Sequence, residues 1–295
     1  MALSPVLLFT YNRPFHTRET LNALLKNQLC KESELFVFSD GGKNEVDEKK
    51  VKEVREIIHA VDGFQKIHII ENNDNQGLAN NIIGGVTKVI EEYGKVIVME
   101  DDLITSPYFL TFMNEALDMF ENEDRIGHIH GYCYPLPGLP ETFLIKWTGS
   151  WGWATWKRAW QKFNPDGELL LSEIESRKQS RTFDFNGKYP YMRMLRRQVK
   201  GINNSWAIRW NASLFLNNML SLNAGKSLVK NIGFDGSGTH SGSQDIFTTH
   251  LYTQKLSIDI SEIEECKDAR KAFERYYAKT NSFWAKVKRR CQRYI

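Results

Sequence analysis

Short apolar runs alternate with helically spaced apolar residues through roughly the first hundred residues. That alternation restricts the chain to β-α-β units building a mostly parallel sheet. Val6 to Thr10, Leu35 to Ser39, Ile67 to Ile70 and Val96 to Met99 are the expected strands. Each run is continuous, as in strands covered on both faces. Leu21, Leu24 and Leu25 mark a first helix, Val51, Val54, Ile58 and Val61 a second, and Leu78, Ile82, Val86, Val89 and Ile90 a third. Each set has the spacing of a one-faced helix.

In open α/β sheets ligands sit beyond the carboxyl ends of the strands, so the residues following each run are the first place to look for chemistry. Here they are Thr10-Tyr11-Asn12-Arg13-Pro14, Asp40-Gly41-Gly42, the Asn72 to Gly77 stretch and Glu100-Asp101-Asp102. All four converge on one rim in such a sheet. Three adjacent carboxylates at a strand end concentrate negative charge that a hard divalent cation with oxygen ligands would offset. A solvated acidic loop, or the approach to a helix beginning near Ser106-Pro107, is the alternative reading of the triplet.

From about Pro107 the pattern changes. A helix carrying Phe109, Phe112, Met113, Ala116, Leu117 and Phe120 precedes shorter strands and a tract with Trp147, Trp151, Trp153, Trp156 and Trp160. Tryptophan faces stack on sugar rings or fill a core. Trp151 and Trp153, flanking Gly152, are the expected sugar contacts, whereas Trp156 and Trp160 at i, i+4 read as one helix face. His128 and His130, at i, i+2 on an expected strand, read as strand packing. No linker is evident, so residues 1–255 read as one domain whose pattern changes between 1–106 and 107–255. Residues 256–295 read as a C-terminal helical tail.

The bulk numbers exclude rather than identify. A formal charge of +3, from 39 basic and 36 acidic residues, gives no global field for nucleic acid. Four scattered cysteines without a C-x-x-C pair fit reduced thiols in a cytoplasm. The N-terminus reads as a first strand rather than a signal. No run reaches the roughly 18 apolar residues of a membrane span. The last residues, Phe283 to Ile295, mix Lys286, Lys288, Arg289, Arg290 and Arg293 with bulky apolar side chains. That composition suits either peripheral contact with anionic lipid or a solvated basic helix.

Val-Leu-Leu-Phe-Thr-Tyr-Asn-Arg-Pro at 6–14, Asp40, Gly77-Leu78, Val-Met-Glu-Asp-Asp-Leu at 98–103, Trp151-Gly152-Trp153 and Gly233-Phe234-Asp235 occur in an order that resembles GT-A glycosyltransferases. The N-acetylglucosaminyltransferase I-like branch and its bacterial relatives are the nearest likeness. The resemblance implies a Rossmann-like sheet flanked by helices, with a nucleotide-binding half (1–106) and an acceptor half (107–255), a nucleotide-sugar donor, a UDP-sugar by preference, and Mn2+ or Mg2+ on the diphosphate. It implies Thr10, Asn12, Arg13, Asp40, Gly77, Leu78, Asn81, Glu100 and Asp101 against the nucleotide-sugar, with Asp40 accepting from uracil N3–H. It implies Asp102 as metal ligand, with His240 as a second, and Trp151, Gly152 and Trp153 against the acceptor. The acceptor implied is a glycan or lipid-linked glycan of bacterial surface polysaccharide assembly.

Inverting transfer needs a carboxylate to take the acceptor proton. Where the resembling enzymes carry that Asp, this chain has Ala207, so Asp235 is the fallback base and Arg209 the candidate for neutralising diphosphate. A retaining route stays open. So do a sugar nucleotidyltransferase and a non-catalytic carbohydrate-binding scaffold.

Overall fold

The computed structural model describes residues 3–235 and 246–282. The first half repeats strand and helix: β1 (Val6–Thr10), α1 (Pro14–Leu24), β2 (Glu34–Ser39), α2 (Glu45–His59), β3 (Lys66–Glu71), α3 (Leu78–Tyr93) and β4 (Lys95–Glu100). Next come β5 (Leu103–Thr105), α4 (Phe109–Met119), β6 (Ile126–His130), β7 (Thr142–Ile145), β8 (Trp153–Trp156) and α5 (Lys157–Trp160). A helical stretch follows with α6 (Gly167–Ser176), α7 (Ser180–Phe183), α8 (Tyr191–Val199) and α9 (Trp206–Leu216). The remaining elements are β9 (Leu220–Ala224), β10 (Val229–Asn231) and α10 (Lys267–Thr280).

Eight strands form one sheet in the order β3-β2-β1-β4-β8-β6-β9-β7. The four strands expected from the sequence are its parallel half. From β4 onward the sheet is mixed, because β8 returns antiparallel to both β4 and β6. Period-two alternation splits each central strand between two cores. Val6 and Leu8 of β1 pack on one face with Leu24, Val54 and Ile58. Leu7 and Phe9 pack on the other with Ile82, Val86 and Ile90 of α3. The continuous apolar runs follow directly, since both faces are covered.

The Trp156–Trp160 pair does not share a helix face. Trp156 is the last residue of β8 and packs on the α4 side of the sheet, its indole N–H donating to the Leu117 carbonyl, while Trp160 lies on α5 in the α3 layer. The segment expected as a tail is integral to the domain: Leu256, Phe273 and Tyr277 are buried in the same core as β1 and β6. The basic stretch 283–295 lies outside the described residues. Among the described residues no helix is long and apolar enough to cross a membrane.

Candidate active site

The parallel register puts the carboxyl ends of β1, β2 and β4 side by side, with Thr10 opposite Ser39 and Phe9 opposite Glu100. Two adjoining hollows open there, of about 440 and 140 Å3. The larger is lined by Asn12, Arg13, Glu100, Asp101, Asp102 and Trp151, and the smaller by Thr10, Asp40, Gly77 and Asn81. Leu78, Glu100 and Asp101 border both. Sequence reasoning therefore named most of the cleft, and the fold brings those residues together.

The acidic triplet is the electrostatic centre. Burial and mutual repulsion push the carboxyls of Glu100 and Asp101 up, Glu100 strongly and Asp101 to about 7. Burial also raises Asp102, against the pull of the Arg13 guanidinium. Arg13 Nη1 lies 2.8 Å from Asp102 Oδ2, and Asp101 Oδ2 accepts from the Tyr11 backbone N–H at 3.2 Å. One arginine facing three clustered carboxylates leaves an excess of negative charge that a divalent cation would offset.

Among the described residues no three or more His, Cys, Asp or Glu are grouped to hold a metal by themselves. One or two carboxylates with substrate phosphates and water completing the shell is the arrangement hard cations of this kind accept. The residues present fit a divalent cation on that basis, and Asp102 and Asp101 would be its oxygen donors. His240 lies outside the described residues.

The Asp40 carboxylate accepts hydrogen bonds from the backbone N–H groups of Gly41, Gln76 and Gly77 and from the side-chain amides of Asn72 and Asn75. These bonds make Asp40 the organiser of the 72–77 loop as well as a lining residue of the smaller hollow. Asn81 closes the same loop, accepting from the Asn72 amide at 2.6 Å.

Three further expectations fail for packing reasons. Trp153 is fully buried, stacked on His128 at 5.3 Å and Trp206 at 5.2 Å, and cannot reach a sugar. Gly152 lines neither hollow. It turns the chain at φ +67°, where a Cβ would lie 2.7 Å from Val229 Cγ2. Arg209 is buried and donates to the carbonyls of Ser205 and Pro165 and to Asn204 Oδ1, so it fastens the start of α9 instead of neutralising phosphate.

Asp235 does reach the site. Its carboxylate is 3.0 Å from His16 Nε2 and 3.6 Å from Arg13 Nη2. The short antiparallel ribbon of β5 and β10 delivers it, because Asn231 pairs with Leu103 immediately after the triplet. Ile232 then donates to the Asp102 carbonyl, and Gly233 sits so close that a Cβ would lie 2.1 Å from Asp102 Oδ2. Sequence reasoning missed Lys43, Asp47, Asn231 and Gly233 as cleft residues. Lys43 was within reach, directly after Asp40-Gly41-Gly42. Asp47 was not, because only the fold shows it accepting from the Tyr11 hydroxyl at 2.8 Å and the Asn12 amide at 2.7 Å.

A parallel α/β half with an acidic, arginine-faced cleft at its strand ends is the layout of a GT-A-type glycosyltransferase. Residues 6–200 match the family model described as "Glycosyl transferase family 2", and the chain belongs to that family. Among curated proteins none matches the chain. Similar solved structures include the mannosyltransferase PcManGT from Pyrobaculum calidifontis in complex with GDP-Man and Mn2+, at 11% identity over 58% of this chain and 47% of that one, TM-score 0.36. A putative nucleotide-diphospho-sugar transferase from Desulfovibrio desulfuricans shares 15% identity over 54% of this chain and 65% of that one, TM-score 0.34. TarS from S. aureus, residues 1–349, shares 17% over 59% of this chain and 49% of that one, TM-score 0.36. The chain thus covers less than two thirds of each of these structures.

Proposed function

We propose that this glycosyltransferase moves a sugar, hexose or N-acetylhexosamine, from a UDP-sugar to a glycan hydroxyl with the help of Mn2+ or Mg2+. The observation that carries the reading is the triplet Glu100-Asp101-Asp102, Asp101 buried and its two neighbours half-buried, in a cleft built from the ends of β1, β2 and β4. The preference for uracil rests on the resemblance in sequence alone. A bound cation supplies charge neutralisation of the departing diphosphate.

The chain's own residues do the rest. Asp102 and Asp101 hold the cation, Arg13 and Lys43 bring positive charge to the phosphates, and Glu100 faces the sugar. Thr10, Asn12, Gly77, Leu78 and Asn81 shape the nucleotide side of the cleft. Asp235, half exposed at the rim, is the proposed proton acceptor. A donor-binding protein without turnover is the competing reading, favoured by Ala207: that position lines a neighbouring pocket in which no described residue is a carboxylate.

Calorimetry with UDP in the presence and absence of Mn2+, on the wild type and Asp102→Asn, tests the site. Metal-dependent UDP binding that the substitution abolishes is the expected result, and equal affinity in both proteins sinks the metal assignment. A donor and acceptor screen on the same preparation tests turnover. Tight UDP binding with no transfer on any pair establishes the non-catalytic reading.

A further inference from the structure

Next to the charged cleft lies a second cavity, of about 410 Å3, whose character is the opposite. Its walls are Tyr132, Tyr134, Trp147, Trp151, Tyr189 and Tyr191, with Phe234 and Phe247 at its side. Among the described residues no Asp, Glu, Lys or Arg lines it. Its size falls within the ~300–1,000 Å3 of small-molecule sites, and its make-up of apolar walls with a few polar groups is typical of them.

Trp151 and Phe234 border both this cavity and the acidic cleft. Their rings lie 5.5 Å apart, and Phe247 packs on each at 5.4 and 5.2 Å. A thin aromatic partition therefore separates the two spaces, and a group in the cavity is adjacent to the place where the cleft holds its donor.

One buried polar atom in the wall has no partner among the described residues. His130 lines the cavity, is 1% exposed, and its Nε2 makes no hydrogen bond among the described residues. The neighbouring amide fixes the tautomer. Asn223 Nδ2 donates to Ser221 O and Oγ at 3.0 and 3.1 Å, so its Oδ1 is the atom 3.3 Å from His130 Nδ1. Nδ1 must then carry the proton, which leaves a lone pair on Nε2. Burial pushes the ring's pKa down to about 3 and so keeps it neutral. A buried acceptor without a donor is costly unless a ligand supplies one. Gly149 packs directly on this ring edge, where a Cβ would lie 2.1 Å from Cε1 and 2.3 Å from Nε2, so only a glycine leaves that side of the ring room beside the cavity wall.

We propose that this cavity is the subsite for an uncharged pyranose of the acceptor, its apolar face on the Trp147 and Trp151 side and one hydroxyl or amide N–H donated to His130 Nε2. The inference rests on the glycosyltransferase reading for its use, and names the acceptor class that reading leaves open. A uronic acid or a phosphorylated sugar would bury its charge against aromatic rings, with no counter-ion among the described residues, which the lining penalises. His130 is thereby a specificity-determining residue.

The test uses the full chain and a panel of neutral methyl hexopyranosides and methyl N-acetylhexosaminides beside the matching methyl hexopyranosiduronates. Binding is read by tryptophan fluorescence and saturation-transfer NMR. At least one neutral glycoside is expected to bind, and its uronate to bind at least about tenfold more weakly. Ala207→Phe, on the partly exposed first turn of α9, fills the cavity mouth and is expected to abolish that binding while leaving UDP affinity and the thermal midpoint unchanged. His130→Phe, which keeps the ring and removes the acceptor, should weaken it about tenfold. Failure of every neutral glycoside, a uronate that binds as well as its neutral partner, or indifference to Ala207→Phe overturns the proposal. UDP titrated into the same samples keeps the two readings apart: glycoside binding without UDP binding removes the donor assignment and leaves this pocket standing.

Discussion

The two tryptophans flanking Gly152 provide the sharpest test of how the site is built, because the sequence treats them alike and the fold does not. Trp153 lies opposite Val98 in the centre of the sheet, fully buried, with His128 and Trp206 stacked on it and Trp160 and Trp210 about it. Burying an indole removes roughly 150–250 Å2 from water, worth about 4–6 kcal/mol as an upper bound at ~25 cal/mol per Å2. Trp153→Ala should therefore cost about 3–5 kcal/mol, as other large aromatic truncations do. That is a large share of the ~5–15 kcal/mol of an ordinary domain, so Trp153→Phe, at about 1–2 kcal/mol, is the safer companion. Trp151 stands two residues earlier, beyond the strand, half-buried against Tyr132, Phe234 and Phe247. Trp151→Ala should cost no more than about 1–2 kcal/mol and act chiefly on acceptor affinity. Urea unfolding gives the stabilities, and acceptor KM or glycoside binding gives the function. The reasoning is refuted if Trp153→Ala loses less than about 1 kcal/mol, or if it shifts acceptor affinity at unchanged stability.

Gly233→Ala drives a methyl group into Asp102 Oδ2 and toward Arg13 Nη1, 3.0 Å away. It is expected to weaken metal-dependent UDP binding by at least about tenfold and to cost about 1–3 kcal/mol from overpacking. Unchanged affinity by calorimetry would show that the 231–235 loop plays no part in the cleft. His128 and His130 are buried with pKa values held down, His128 well below normal and His130 at about 3, by loss of hydration. Because the folded values lie below the unfolded value of about 6.5, their contribution is complete above that pH and is lost as pH falls toward the folded values. In urea titrations between pH 7 and 5, His130→Gln should show a shallower acid loss than wild type by roughly 1 kcal/mol per pH unit below pH 6. Parallel curves would mean that the ring is not held neutral.

The parallel half of the sheet was legible because its signal is local. Val6–Thr10, Glu34–Ser39, Lys66–Glu71 and Lys95–Glu100 are short continuous apolar runs between helically spaced segments, and a strand covered on both faces needs just that composition. The rule that ligands gather at strand ends then gathered Thr10, Arg13, Asp40, Gly77 and the acidic triplet into one cleft. Family resemblance carried roles onto those positions, but the hydrogen-bonded loop that Asp40 also organises is invisible until residues 72–77 are folded against it.

By itself, then, the sequence determined the class of fold, the strand-end rim and the residues of the acidic centre, all of which depend on spacing along a few dozen residues. Only the tertiary structure decided which tryptophan is core and which is wall, since that depends on where β8 begins and on its pairing with β4. It alone brought Gly233 and Asp235 over Asp102, through three-residue strands too short to leave a pattern. The separation of a charged cleft from an uncharged aromatic cavity, divided by Trp151 and Phe234, likewise belongs to the fold. Such contacts join residues distant in sequence, and no local periodicity encodes which of them meet.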